Sequence, residues 1–294
     1  MQPLGGALSG AATSGIIAKI LKTSAVDGPG NRAVVFFQGC NFNCSYCHNP
    51  ETINYCDHCG LCVPACQYGA LGMDEGLVLW NPAHCADCGA CLLACPKSSS
   101  PKSRRMSAEE ILNELSPYKA FLSGLSISGG EACVQMGFLA ELVKKAASHG
   151  LPCLVDSNGS ADFSAYPELV AAADGFMLDI KAWNKAEHFA LAEASNRVVI
   201  KNLHYLAAAG KLYEARTVIS PGLFNIEETV TQSSRAILAG AKASGKMARY
   251  KLLRYRPNGV RPAFKNKLLL PDPELMERLA ALARAEGLKE VIIT

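Results

Sequence analysis

Several features are missing from this chain, and each absence narrows what it can be. No stretch of eighteen apolar residues occurs, so no membrane-spanning helix is expected. Lys and Arg never gather into a long basic run. Charged residues make up 19% of the chain and the net charge is +3, which does not suggest nucleic-acid binding. Residues 1–15 contain no Lys or Arg and are rich in Gly, Ala and Ser. They lack the charged start and apolar centre of an export signal and read as a flexible N-terminal tail.

Cysteine, by contrast, is abundant: there are 13 in 294 residues. Eleven fall into three close-spaced sets, which fits a disulfide scaffold poorly in so long a chain. Thiolate ligands in a reducing cytoplasm fit better. Cys133 and Cys153 stand alone and read as small packed residues. A hydrophobic content of 49% supports a substantial core.

The first set, Cys40, Cys44 and Cys47, has the spacing C-x3-C-x2-C. A cube of four irons normally takes four thiolates. Three leave one iron open, which is how a reactive metal site differs from a closed structural one. The second set, Cys56, Cys59, Cys62 and Cys66, is C-x2-C-x2-C-x3-C; Cys85, Cys88, Cys91 and Cys95 repeat it 29 residues later, followed by Pro96. This duplication has the spacing of bacterial two-cluster ferredoxins, in which the fourth cysteine of each run ligates the other cube. The resemblance implies one cluster on Cys56, Cys59, Cys62 and Cys95, and another on Cys85, Cys88, Cys91 and Cys66. Gln67 stands where Pro would usually follow the first run. Two structural zinc sites are the alternative.

Outside the insertion, strand-like runs alternate with helical patterns. Strands are expected at 33–37, 125–128, 152–156, 175–180, 213–219, 249–255 and 289–293, with an antiparallel lead-in at 16–21. Helices are expected at 107–120, 134–149, 163–172, 197–209, 226–244 and 273–286. Ser107 and Glu110 suit a capping box, and Gly150, Gly210 and Gly287 suit helix ends. Such βα repeats imply parallel strands with right-handed crossovers. Six units are too few for an eightfold barrel. The expected architecture is α/β: a tail at 1–15, a partial (β/α)6 barrel from 16–50 and 104–294, and a two-cluster ferredoxin-like insertion at 51–103. Polar motifs fall at the expected strand ends, where barrel enzymes place their sites.

The C-x3-C-x2-C run with Tyr46 before its last cysteine, followed by Gly129-Gly130-Glu131, resembles the radical S-adenosylmethionine (SAM) superfamily. Further motifs are similar to the glycyl radical enzyme activases: Val26-Asp27-Gly28-Pro29-Gly30, Arg32, Phe36-Phe37-Gln38-Gly39-Cys40, Cys47-His48-Asn49-Pro50, Asp156-Ser157-Asn158-Gly159 and Met177-Leu178-Asp179-Ile180-Lys181. With the ferredoxin runs, Cys153–Gly159 and Leu178–Trp183 most resemble the YjjW-type activases.

This resemblance implies three 4Fe-4S clusters, the catalytic one on Cys40, Cys44 and Cys47. It implies SAM contacts at Tyr46, Cys47, His48, Gly129, Gly130, Glu131, Asp179, Ile180, Lys181, Arg216 and Arg256. It also implies a monovalent cation at Asp156, Ser157, Met177 and Asp179, and contact of Asp27, Gly28, Pro29 and Gly30 with a partner loop. The implied partners are a glycyl radical enzyme of the YjjI type and a flavodoxin or ferredoxin as electron donor. Arg256 departs from the pattern, which has His after Tyr, and an arginine cannot relay a proton. Two other functions are weighed. A radical SAM enzyme for a small molecule or peptide is disfavoured because no cysteine follows Cys153. A ferredoxin-like electron carrier leaves the first cysteine set unexplained.

Overall fold

A computed structural model describes residues 13–294; the first twelve residues of the expected tail lie outside the described residues. The chain first forms β1 (Ser14–Ser24) and β2 (Arg32–Phe37). Then come β3 (Leu71–Asp74), β4 (Leu77–Trp80), the short helix α1 (Ala90–Ala94) and β5 (Arg104–Ser107). The rest alternates: α2 (Ala108–Leu115), β6 (Gly124–Gly129), α3 (Met136–Ser148), β7 (Cys153–Ser157), α4 (Pro167–Ala172) and β8 (Gly175–Asp179). It continues with α5 (Lys185–Ala192), α6 (Arg197–Ala208), β9 (Leu212–Ile219), α7 (Ile226–Ser244), β10 (Arg249–Arg254), α8 (Pro262–Lys265), α9 (Pro273–Ala285) and β11 (Val291–Ile293).

Nine strands make one sheet in the order β11-β10-β9-β8-β7-β6-β2-β1-β5. From β2 to β11 every pairing is parallel. β1 pairs antiparallel with both β2 and β5. The strands follow the order of the sequence because each helix carries the chain back to start the next parallel neighbour. A flat sheet would hold β2 and β10 about 24 Å apart. Here the loop after β2 touches the loop after β10, with His48 Nε2 2.9 Å from the Arg256 carbonyl oxygen. The row therefore curls towards itself.

Local chemistry explains the element ends. Ser107 and Glu110 form the expected capping box of α2, which satisfies two of the helix's free backbone donors. Asn225 caps α7 and Gly245 ends it in a left-handed conformation. The core lies between the sheet and its helices, around side chains such as Ile127, Leu139, Leu142, Phe163 and Phe176, all fully buried. Each such side chain contributes about 2 kcal/mol.

Several elements lie outside the strands and helices expected from the sequence. The β3-β4 hairpin lies inside the cysteine-rich insertion. β5 returns the chain to the main sheet against β1. α5 and the one-turn α8 follow polar loops. β1 also begins at Ser14, two residues inside the expected tail. Among the described residues no helix is long and apolar enough to cross a membrane.

Candidate functional site

The loop after β2 carries Cys40, Cys44 and Cys47 and is pinned from several sides. Gly39 and Cys40 donate backbone hydrogen bonds to Thr52 and Ile53. Asn43 and Ser45 donate to Ala192 and Leu191 at the end of α5. Arg261 donates to the Asn43 side chain at 2.5 Å and to the Asn43 and Cys44 carbonyls at 3.1 and 2.9 Å. Gly259 (φ +79°) lies so close that a Cβ there would meet the His48 oxygen at 2.1 Å. The segment after β10 is thus a strap across the cysteine loop.

All three cysteines open on one cleft of about 890 Å³. Tyr46, His48 and Asn49 line it from the same loop. Ser128, Gly129, Gly130 and Glu131 line it from the end of β6, and Asp156, Ser157 and Asn158 from the end of β7. Asp179, Lys181, Arg216, Val218 and Leu253 complete the wall. Gly129 has φ +128°, and a Cβ there would meet the Phe37 nitrogen at 2.2 Å, so only glycine lets these strand ends cross so closely.

Burial pushes the Cys40 thiol up to about 12 and the Cys44 thiol up to about 11; the Lys181 ammonium counteracts part of the shift at Cys44. Cys47 is also raised by burial. Bare, these groups are neutral thiols near pH 7, and a metal centre would take them as thiolates by displacing their protons. Three cysteines line the cleft and no fourth does, among the described residues. That donor set fits an iron–sulfur cube with one open iron.

The charged groups in the wall are tightly paired. Burial opposes the Lys181 charge, but Asp179 beside it, with Tyr46 and Cys44, holds its pKa well above the usual value. The Lys181–Asp179 contact is 2.7 Å, and Lys181 also lies 5.5 Å from the centre of the Tyr46 ring. Arg216 reaches Asp156 at 3.0 Å and Glu214 at 2.5 Å. Burial works against its charge too, yet Asp156, Glu214 and Asp179 together raise its pKa. Asp156 is raised by burial despite Arg216. Glu131, wholly buried, is likewise raised; it accepts from Cys133 N, Ser157 Oγ and Asn158 N at 3.1, 2.8 and 2.6 Å. Its carboxylate is occupied locally, so the Gly129-Gly130-Glu131 segment meets a ligand mainly with its backbone.

Not every expected residue joins this cleft. The side chain of Arg256 is exposed, and its carbonyl meets His48 instead. Ile180 is buried, its N–H donating to Arg216 O and its carbonyl accepting from Thr217. The four residues expected around a monovalent cation are divided. Asp156 faces Arg216 and Ser128, Asp179 faces Lys181 and the Ser157 hydroxyl turns to Glu131, while the atom expected of Met177 is its backbone carbonyl. Among the described residues, the positive charge beside both carboxylates is the protein's own. The Asp27–Gly30 loop precedes β2, so the strand's length, about 20 Å, separates it from the cysteine loop. The Asp27 carbonyl accepts from Ser126 Oγ, and its carboxylate accepts from Ser24 Oγ at 2.5 Å.

Sequence reasoning did not single out Glu214, Arg249, Lys251 or Arg261. The first two form the ion pair Arg249–Glu214 at 2.7 Å beside Arg216. A signal was present: Glu214 and Arg216 alternate along a strand that is otherwise mostly apolar, which marks a polar inward face.

The insertion forms two smaller cavities. One, of about 260 Å³, is lined by Cys56, Cys59, Cys62 and Cys95. The other, of about 320 Å³, is lined by Cys66, Cys85, Cys88 and Cys91. The cysteine that ends each run thus crosses to the other set. Among the described residues no three or more His, Cys, Asp or Glu side chains converge on a single metal-ion position. Cys133 and Cys153 are buried away from these cavities.

Residues 34–231 match the Radical SAM superfamily. The chain is 29% identical to the isethionate sulfite-lyase activating enzyme of Oleidesulfovibrio alaskensis, over 93% of this chain and 96% of that protein. It is 28% identical to the trans-4-hydroxy-L-proline dehydratase activating enzyme of Clostridioides difficile, over 72% of this chain and 76% of that one. The fold is similar to that of QueE from Escherichia coli, with a TM-score of 0.51 and 12% identity over 96% of this chain and 94% of that one.

Proposed function

The chain belongs to the radical SAM superfamily, and from that premise we propose that it is a glycyl radical enzyme activase. The observation that carries this reading is the cleft itself: three cysteines without a fourth, facing Gly129-Gly130 and the paired charges of Asp156, Asp179, Lys181 and Arg216. Cys40, Cys44 and Cys47 would hold a 4Fe-4S cube. That cube would supply one electron to break the C5′–S bond of SAM, giving methionine and a 5′-deoxyadenosyl radical that takes a hydrogen atom from a glycine of the partner enzyme.

The chain's own residues bind and orient. The Gly129 and Gly130 backbone would receive the SAM amino group, Lys181 and Arg216 would bring positive charge to its carboxylate, and Tyr46 and His48 would flank the remainder. Asp179 keeps Lys181 charged and in place. No side chain has to act as acid or base, because hydrogen-atom abstraction moves the proton and electron together.

The finer reading extends to the whole molecule. The curled parallel row is a partial (β/α)6 barrel, and residues 51–103 form a two-cluster ferredoxin-like unit. The crossed cysteine lining of its two cavities supports this assignment. The unit relays electrons from a flavodoxin or ferredoxin. Tyr55 supports that route, since it precedes Cys56 and its hydroxyl lies against Gly39, next to Cys40. The partner is a glycyl radical enzyme of the YjjI type, and both proteins work in an anaerobic cytoplasm.

The test is to mix the anaerobically reconstituted protein with SAM, a reductant and a YjjI-type protein, then record electron paramagnetic resonance spectra. A glycyl doublet that needs all three components is expected. Cleavage of SAM without a doublet on the partner would reject that partner and favour a small-molecule or peptide target.

A further inference from the structure

Strands β9 and β10 set three cationic side chains, Arg216, Arg249 and Lys251, on their cleft-side face, and the first two are held in ion pairs. Their parallel register sets Arg249 beside Glu214, Lys251 beside Arg216 and Leu253 beside Val218. Arg216, Val218 and Leu253 all line the cleft. Side chains alternate along a strand, so Lys251 faces the same way. It lies about 7 Å from Leu253, towards the start of the strand.

The other charged groups on this face are engaged. Glu214, with no exposed side chain, lies between Arg216 and Arg249. Arg216 also holds Asp156. Arg32 is spent on Ser126 and on the Leu125 and Pro152 carbonyls. Asp27 accepts from Ser24. Among the described residues Lys251 has no ion-pair partner, although it is only partly exposed. Burial lowers its pKa, Glu214 and Asp27 support its charge, and Arg216 and Arg249 oppose it. An ammonium in this position has lost part of its water, and among the described residues no carboxylate reaches it at ion-pair distance.

We propose that Lys251 is the recognition point for a carboxylate on the segment that enters the cleft, which makes the preferred target an acidic glycine-containing segment. The inference rests on the activase reading for the identity of that segment. The physical gain is specific. A segment filling the face removes the remaining water from Lys251, so a matching carboxylate is favoured, whereas a lysine or arginine there meets uncompensated repulsion. The carboxylate of SAM has the same chemistry and is the competing source.

The test uses the reconstituted full chain and fluorescent glycine-centred peptides in which each position near the glycine is in turn Glu, Gln or Lys. Affinity is read by fluorescence anisotropy with SAM present, and hydrogen transfer by deuterium moving from α-deuterated glycine into 5′-deoxyadenosine. At one position the Glu peptide should bind about tenfold more tightly than the Gln peptide, and the Lys peptide more weakly still. Lys251→Gln should level this order and Lys251→Glu should invert it. The circular dichroism of both variants checks that they fold, and Lys251→Gln, close in size, serves should the charge reversal disturb folding. Equal binding of all three peptides at every position would overturn the proposal, as would a Lys251→Gln variant that loses SAM affinity but keeps the peptide order. Binding with the expected order but no deuterium transfer would leave the subsite standing and remove the activase reading.

Discussion

The cleft and the cysteine-rich insertion hold thiols by opposite means. In the cleft, Cys44 is buried, and its loop is fixed by residues from distant parts of the chain, among them Leu191, Ala192 and Arg261. In the insertion, the cysteines come from two short runs, Cys59 and Cys88 are exposed, and the buried cluster contains only Cys62, Leu71, Val78 and Cys91. The first site is made by the fold. The second has too little core to stand alone, and its order should depend on what its cysteines bind.

The most severe way to probe this contrast is Cys44→Ala. SAM cleavage should fall below detection while the insertion keeps its metal, so that total iron drops from about twelve to about eight per chain. Loss of all iron would mean that the two regions are not independent. Next comes Arg216→Met, which leaves Glu214 and Asp156 buried without their shared cation. It should cost about 3–5 kcal/mol of stability, read by denaturant unfolding of the main sheet. A loss below about 1 kcal/mol would show that solvent reaches these groups.

Removing iron with a chelator should then expose the asymmetry directly. Amide exchange should rise sharply across residues 51–103, while β6, β7 and β8 remain protected. Uniform exchange across both regions would erase the distinction. Arg261→Ala removes three hydrogen bonds to the Cys40–Cys47 loop. It should speed iron loss from the catalytic site several-fold and leave the insertion's iron in place. The smallest expected effect is that of Cys59→Ala, which should slow reduction of the catalytic cluster without changing partner affinity. Unchanged reduction with weaker partner binding would instead give the insertion a docking role.

The same contrast explains what the sequence could disclose. Spacing carried the insertion, because ligands two or three residues apart are constrained by local geometry alone. The crossing of Cys66 and Cys95 into opposite cavities follows a pattern written in those spacings. The parallel strands were also readable, since buried runs such as Arg32–Phe37 and Gly175–Asp179 alternate with amphipathic helices. Paired charges were harder to find. Arg249 and Glu214 lie on neighbouring strands but 35 residues apart in sequence, and nothing local in either strand announces the other. Arg256 stands at the position of a family motif; its side chain is exposed and its carbonyl meets His48. α5 was missed because Lys185–Ala192 is only weakly amphipathic, and its value lies in the backbone carbonyls that it offers the cysteine loop.

The account depends most on one iron of the cleft cluster lacking a protein ligand and accepting SAM. Electron–nuclear double resonance of the reduced protein, with SAM labelled with ¹⁵N at the amino group and ¹⁷O at the carboxylate, tests this directly. Couplings from both labels, lost in Cys44→Ala, are predicted. Their absence from a protein whose catalytic cluster is intact and reduced would contradict the account.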